Sequence, residues 1–202
     1  MKKLTFIWLL CCLVLSLGAT VPKTQAQTTE NVEQVLGISF GQPAAAVRTQ
    51  FEALQPAAIT IQSSQPRGGD HITWKNVSFA DYAGCAVSYE FVHDQFCMAI
   101  IQVPVVTDPM SQYRQMQKDL QAKYGSFDDE KEEYKWPYSK DDGFFDQALN
   151  NEKTNIRTWW KLQDTDIQLA IANSKTLIVS YMDRERTKEY FRVLSKKRQS
   201  EL

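Results

Sequence analysis

Apolar and polar positions recur along this chain with two periods, and the two separate cleanly. Around the middle the period is two. Cys85-Ala86-Val87-Ser88-Tyr89-Glu90-Phe91-Val92 and Phe96-Cys97-Met98-Ala99-Ile100-Ile101-Gln102-Val103 read as strands, with His93-Asp94-Gln95 as the turn between them. The same alternation returns in residues 154–162, 166–172 and 176–182. There Ile156, Trp160 and Leu162, then Ile167, Leu169 and Ile171, then Leu177, Val179 and Tyr181 fall on one side. Asp164-Thr165 and Asn173-Ser174-Lys175 supply the turns, so the three strands read as a meander with one buried face. Shorter strands are expected at residues 35–40, 58–61 and 72–74.

The helical period appears three times. Val47, Phe51 and Leu54 share one face of a helix over residues 43–54, opened by Pro43 and stopped by Pro56. A second helix covers residues 109–124, with Met110, Tyr113, Met116, Leu120 and Tyr124 in one stripe. Asp108 is its N-cap, Pro109 its first residue and Gly125 its terminator. A third runs from Asp183 to about Lys197, with Tyr190, Val193 and Leu194 inward. Its other face carries Arg184, Arg186, Lys188, Arg192, Lys196, Lys197 and Arg198. The interleaved ion pairs expected on this helix favour a solvated face over a membrane-binding one. Residues 126–151 mix acids with Tyr134, Trp136, Tyr138, Phe144 and Phe145, and read as a long excursion outside the core. The fold class is therefore α+β: an antiparallel sheet meander with two or three helices packed on it. A helix followed by strands occurs twice, which suggests two similar layers inside one domain over residues 35–202. Residues 27–34 are polar and are expected to be mobile.

The first residues have a different character. Lys2 and Lys3 precede an apolar run from Leu4 to Leu17, followed by a looser stretch ending Thr24-Gln25-Ala26. That is the order of a secretory signal over residues 1–26. The run is about 14 residues, short of the roughly 20 that span a bilayer. Cleavage is expected after Ala26, with Ala19 as the alternative. Leu10 precedes Cys11, and the apolar run continues past Cys12, so neither cysteine reads as a lipid-attachment site. The expected product is exported, periplasmic or secreted, and not an integral membrane protein. Without Lys2, Lys3 and Lys23 it holds 20 basic and 24 acidic residues, a net charge of −4. That charge argues against nucleic acid as a partner.

Export permits a disulfide between Cys85 and Cys97, but the hairpin geometry opposes one. A three-residue turn places Cys85 opposite Val103 and Cys97 opposite Phe91. The thiols are then about 20 Å apart along the ladder, whereas a disulfide needs Cα atoms within about 7 Å. A two-residue turn puts them on opposite faces. Two unpaired, mostly buried cysteines are expected.

Several stretches also carry a resemblance. Leu36-Gly37-Ile38-Ser39-Phe40-Gly41 leading to a helix with Val47 is one. Ile72-Thr73-Trp74-Lys75-Asn76-Val77-Ser78-Phe79-Ala80, Tyr89-Glu90-Phe91 and Leu120-Gln121-Ala122-Lys123-Tyr124-Gly125 are the others. Together they resemble uncharacterised exported α+β proteins of Gram-negative bacteria. More distantly the layout is similar to β-lactamase-inhibitor-like modules and to the small lipoprotein of the outer-membrane assembly machine. The resemblance implies an α+β fold and non-catalytic partner binding. The missing lipid-attachment cysteine departs from the assembly lipoprotein.

Candidate chemistry is sparse. The only histidines are His71 and His93, one beside a loop and one in a turn. Cys85 and Cys97 sit among apolar strand residues, where a thiol is inert. No nucleophile elbow, phosphate loop, dinucleotide fingerprint or zinc spacing is present. The acidic stretch from Asp128 to Glu133 lacks the ligand alternation and central glycine of a calcium loop. No catalysis, cofactor or metal is expected. The aromatics remain: Trp159 and Trp160 point to opposite faces of a strand, and Tyr134, Trp136 and Tyr138 lie in the excursion. Tyr134, Trp136, Tyr138 and Trp159 are the candidate partner-binding residues. The expected partner is another protein. A carbohydrate- or lipid-binding module is the alternative, and a hydrolase whose catalytic set is not recognisable is a further one.

Overall fold

The alternating segments pair into one antiparallel sheet. In the computed structural model, which describes residues 31–61 and 70–200, it has eight strands. The leader expected over residues 1–26 lies outside the described residues. The chain begins with a small hairpin, β1 (Gln34–Val35) and β2 (Ile38–Ser39). Helix α1 (Ala44–Leu54) follows, then β3 (Ile59–Ile61), β4 (Asp70–Phe79), β5 (Tyr82–Val92) and β6 (Gln95–Pro104). Helix α2 (Pro109–Tyr124) leads to β7 (Asp129–Tyr134), helix α3 (Phe145–Asn150), β8 (Thr154–Lys161), β9 (Thr165–Asn173), β10 (Thr176–Asp183) and α4 (Arg184–Ser200). No helix among the described residues is long and apolar enough to cross a membrane.

The strand order is β3-β4-β5-β6-β10-β9-β8-β7. Each half is a helix followed by four antiparallel strands, and the last strands of the halves, β6 and β10, pair at the centre. The two similar units expected from the sequence as layers are instead halves that lie side by side in one sheet. One crosswise row shows the relation. Ile101 pairs with Val179 at the centre; Val87 and Trp74 continue it on one side, Leu169 and Thr158 on the other. All six side chains are fully buried. The helices α1, α2 and α3 pack their apolar stripes on this face, joining Phe51, Tyr113, Met116, Leu120 and Leu149 to one core. Helix α4 crosses the other face over β5, β6 and the end of β10, where Tyr190 and Leu194 cover Val92, Cys97 and Met98. Capping follows the sequence: the Asp108 carboxylate accepts from the Ser111 amide at 2.7 Å, and the Asp183 carboxylate from the Arg186 amide at 2.8 Å.

Four local expectations are revised. The turn between β5 and β6 has two residues, His93 and Asp94, both at positive φ, with Val92 opposite Gln95. This backbone matches the twist of the flanking strands. A bulge at Cys97 then resets the register, so Phe91 faces Phe96 and Glu90 faces Met98. Residues 35–40 form a hairpin rather than one strand, turning at Leu36 and Gly37 with φ of 50° and 81°. The φ of 81° at Gly37 is a conformation that favours glycine, and a Cβ there would also push aside the Leu54 Cδ1 methyl, 2.7 Å away. Residues 31–34 are anchored instead of mobile. Val32 is buried, its carbonyl accepts from Thr165 Oγ1 at 3.0 Å, and Asn31 bonds Asp164. The excursion over residues 126–151 contains edge strand β7 and helix α3, and Leu149 enters the core.

Candidate functional site

Because side chains alternate across each strand, the residues that do not face the main core lie under α4 or point outward. Near α4 the row Asp166, Met182, Met98, Glu90 and His71 lies across β9, β10, β6, β5 and β4. The buried Glu90 carboxylate accepts from Tyr190 Oη at 2.8 Å, which fixes the helix to the sheet. The next row runs Trp159, Gln168, Ser180, Ile100, Ser88 and Thr73, with Thr73 and Ser88 hydroxyls 2.8 Å apart. Beyond it comes Lys131, Arg157, Ala170, Ile178, Gln102 and Ala86, one residue from each of six neighbouring strands. Every member of this row is partly exposed. At the usual strand spacing it spans about 24 Å. Its centre carries small or uncharged side chains. On β8, Arg157 and Lys161 share the face of Trp159, on either side of it.

The other sequence candidates lie elsewhere. Tyr134 ends β7 and pairs with Thr154, while Trp159 pairs with Asp129 at the far end of the same ladder. The separation along the strand is about 17 Å, and the two rings point to opposite faces. Tyr134 Oη donates to Glu132 Oε1 at 3.2 Å. Burial, with the Glu132 charge beside it, pushes this phenol up to about 12. Tyr138 Oη accepts from Asn151 Nδ2 at 2.8 Å. Trp136 is 88% exposed. Its loop is held by Lys135 N to Lys153 O at 2.7 Å and by Asp142, which accepts from the amides of Ser139 and Phe144. Trp136 and Tyr138 thus share one ordered loop that follows Tyr134 at the end of β7, and Trp159 belongs to the open sheet face.

A polar network that the sequence does not announce lies between α2 and β7–β8. Fully buried Thr158 bonds Tyr113 Oη at 2.5 Å and accepts from Gln117 Nε2 at 2.8 Å. Gln117 reaches Glu130, which is ion-paired with Arg114, and Arg114 also meets Glu132. Every charge here is balanced by a neighbour, so the network holds α2 to the edge of the sheet.

Among the described residues the two cysteines are kept apart. Cys85 and Cys97 are free, buried and on opposite faces of the sheet. Burial, with the Glu90 charge nearby, pushes the Cys97 thiol up to about 12, which keeps it protonated at neutral pH. His93 lies in the exposed β5–β6 turn, 3.0 Å from Glu189. His71 sits across from Glu90 on β4. Among the described residues no group of three or more His, Cys, Asp or Glu side chains is placed to hold a metal ion. No protein-family model, curated protein or solved structure matches the chain.

Proposed function

We propose that this chain is an exported, non-enzymatic binding protein that engages another protein through the open face of its sheet, with Trp159 as anchor. The observation carrying this reading is the partly exposed row from Lys131 to Ala86 beside Trp159, while α4 covers only the other end of that face. Aromatic and arginine side chains at the centre of a contact contribute disproportionately to affinity. Here both are presented by a paired strand, so docking costs little ordering entropy. Arg157 and Lys161 beside Trp159 suit a partner that sets acidic groups around an apolar contact. Export rests on the basic start, the short apolar run and the small residues before the expected cleavage site.

The test is affinity capture with residues 27–202 immobilised in cell-envelope extract. The captured protein is expected to be lost with Trp159→Ala and with Arg157→Glu, and kept with Ile59→Ser at the far edge. A captured set unchanged by Trp159→Ala removes the sheet face from the proposal.

A second reading has its own observation. The Trp136 ring stands out from a loop fixed by hydrogen bonds, which suits stacking on a sugar ring or insertion at a lipid surface. Glycan-array or vesicle binding that Trp136→Ala removes and Trp159→Ala leaves intact supports it.

A further inference from the structure

The core side of the sheet has a concavity at the seam between the halves. Its volume is about 360 Å³, within the range of small-molecule pockets. Val35 and Leu36 of the N-terminal hairpin, Phe79 at the end of β4, and Met116 and Leu120 of α2 form apolar walls. Tyr82, Tyr124 and Tyr181 add three phenols. Tyr181 is buried, and its ring lies 6.3 Å from that of Tyr124.

Two charged side chains of opposite sign border the pocket. Lys123 Nζ lies 5.1 Å from the centre of the Tyr124 ring. Asp119 Oδ1 accepts from Gln115 Nε2 at 2.9 Å. Their charges are opposite, so the mouth selects for neither sign. The polar groups left to a ligand are phenols. Burial and the neighbouring Tyr124 hydroxyl hold the Tyr181 phenol well above its ordinary range, and burial raises Tyr82. Both keep their protons at neutral pH; Tyr181 gives its own to the Tyr124 hydroxyl, which leaves the Tyr124 hydroxyl to donate to a ligand.

We propose that this pocket binds a small neutral molecule whose apolar ring or chain fills the walls and whose carbonyl or similar acceptor meets the Tyr124 hydroxyl, itself held by Tyr181. Charged ligands are disfavoured because they would lose hydration in an apolar cavity whose mouth carries one side chain of each sign. The site is separate from the open face, since the two lie on opposite sides of the sheet.

Two dyes with related rings test this with residues 27–202. Prodan is neutral and carries a carbonyl whose emission reports hydrogen bonding; anilinonaphthalene sulfonate is an anion. Prodan is expected to bind about tenfold or more tightly than the sulfonate. Ala80→Trp, an exposed turn residue at the mouth, should weaken prodan about tenfold. Should that variant melt early, Gln34→Trp on the opposite rim serves the same purpose. Tyr124→Phe should shift bound prodan emission to the blue, and Ile59→Ser at the far edge of the sheet should leave prodan binding unchanged. Equal affinity for the two dyes overturns the proposal. So does prodan binding unchanged in a folded rim variant.

Discussion

Thr158 and Trp74 occupy matching places in the two halves, yet they solve opposite packing problems. Trp74 packs against Phe51 of α1, ring centres 4.5 Å apart and planes tilted by 41°. Thr158 is small enough to leave room for the Tyr113 hydroxyl, which bonds it. Thr158→Val keeps the shape and removes that partner from two buried donors or acceptors, so it should cost about 1–3 kcal/mol in urea unfolding. A loss within error would mean that Tyr113 and Gln117 satisfy each other or reach water. The thiols offer a second residue-scale check. Native protein at pH 8 should react slowly with a thiol reagent, and two thiols of residues 27–202 should react at once in denaturant. The Cys97 thiol titrates at about 12 in the folded chain against 9.0 for a free one. Its neutral burial therefore contributes stability that is complete below pH 9 and fades as pH rises towards 12. Cys97→Ala should flatten that alkaline loss. Glu189 works in the opposite direction. The Arg192 guanidinium, then His93, holds its carboxyl at about 2 against 4.5, so its contribution is present above pH 4.5 and fades as pH falls towards 2. Glu189→Gln should reduce the acid dependence over that interval.

At the scale of elements, α4 decides how much of the second sheet face is open. Its attachments are Tyr190 to Glu90, Thr187 Oγ1 to the Cys97 carbonyl at 3.1 Å, Arg184 to Asp166 and to the carbonyls of Leu162 and Gln163, Arg186 to Gln95, Glu189 to His93, and the packing of Tyr190 and Leu194 on Val92, Cys97 and Met98. Tyr190→Phe should lower stability by about 1–3 kcal/mol and speed hydrogen exchange in α4 before the sheet. Uniform acceleration across all strands would show instead that the helix and sheet open together. Strand β7 closes the other edge with Asp129, Glu130, Lys131, Glu132 and Glu133. Charged side chains on an edge discourage further strand addition, so the sheet ends there. The same charges hid β7 in the sequence. An unbroken polar run has no alternation to read, and only its pairing with β8 makes it a strand. Helix α3 was hidden by brevity, since six residues give less than two turns of periodicity.

At the scale of the molecule, the continuous sheet through β6 and β10 joins the halves into one cooperative unit. Trp74 reports on the first half and Trp160 on the second, and both are fully buried. Variants retaining only one of the two indoles should unfold at the same denaturant midpoint, coincident with far-ultraviolet circular dichroism. Separate midpoints would show that the halves melt independently. The sequence by itself determined the class of the fold, the three longer helices and most of the strands, because those follow from short-range periodicity and capping chemistry. It also singled out Trp159 as a residue pointing away from its neighbour Trp160. It did not place Trp159 apart from Tyr134 and Trp136, because which loop end and which face meet is set by strand pairing between distant segments. The mirrored strand order, the bulge at Cys97, the pocket at the seam and the open face beside α4 were decided only by tertiary structure. Each depends on backbone hydrogen bonds and packing between residues far apart in the chain, and no local pattern encodes those distances.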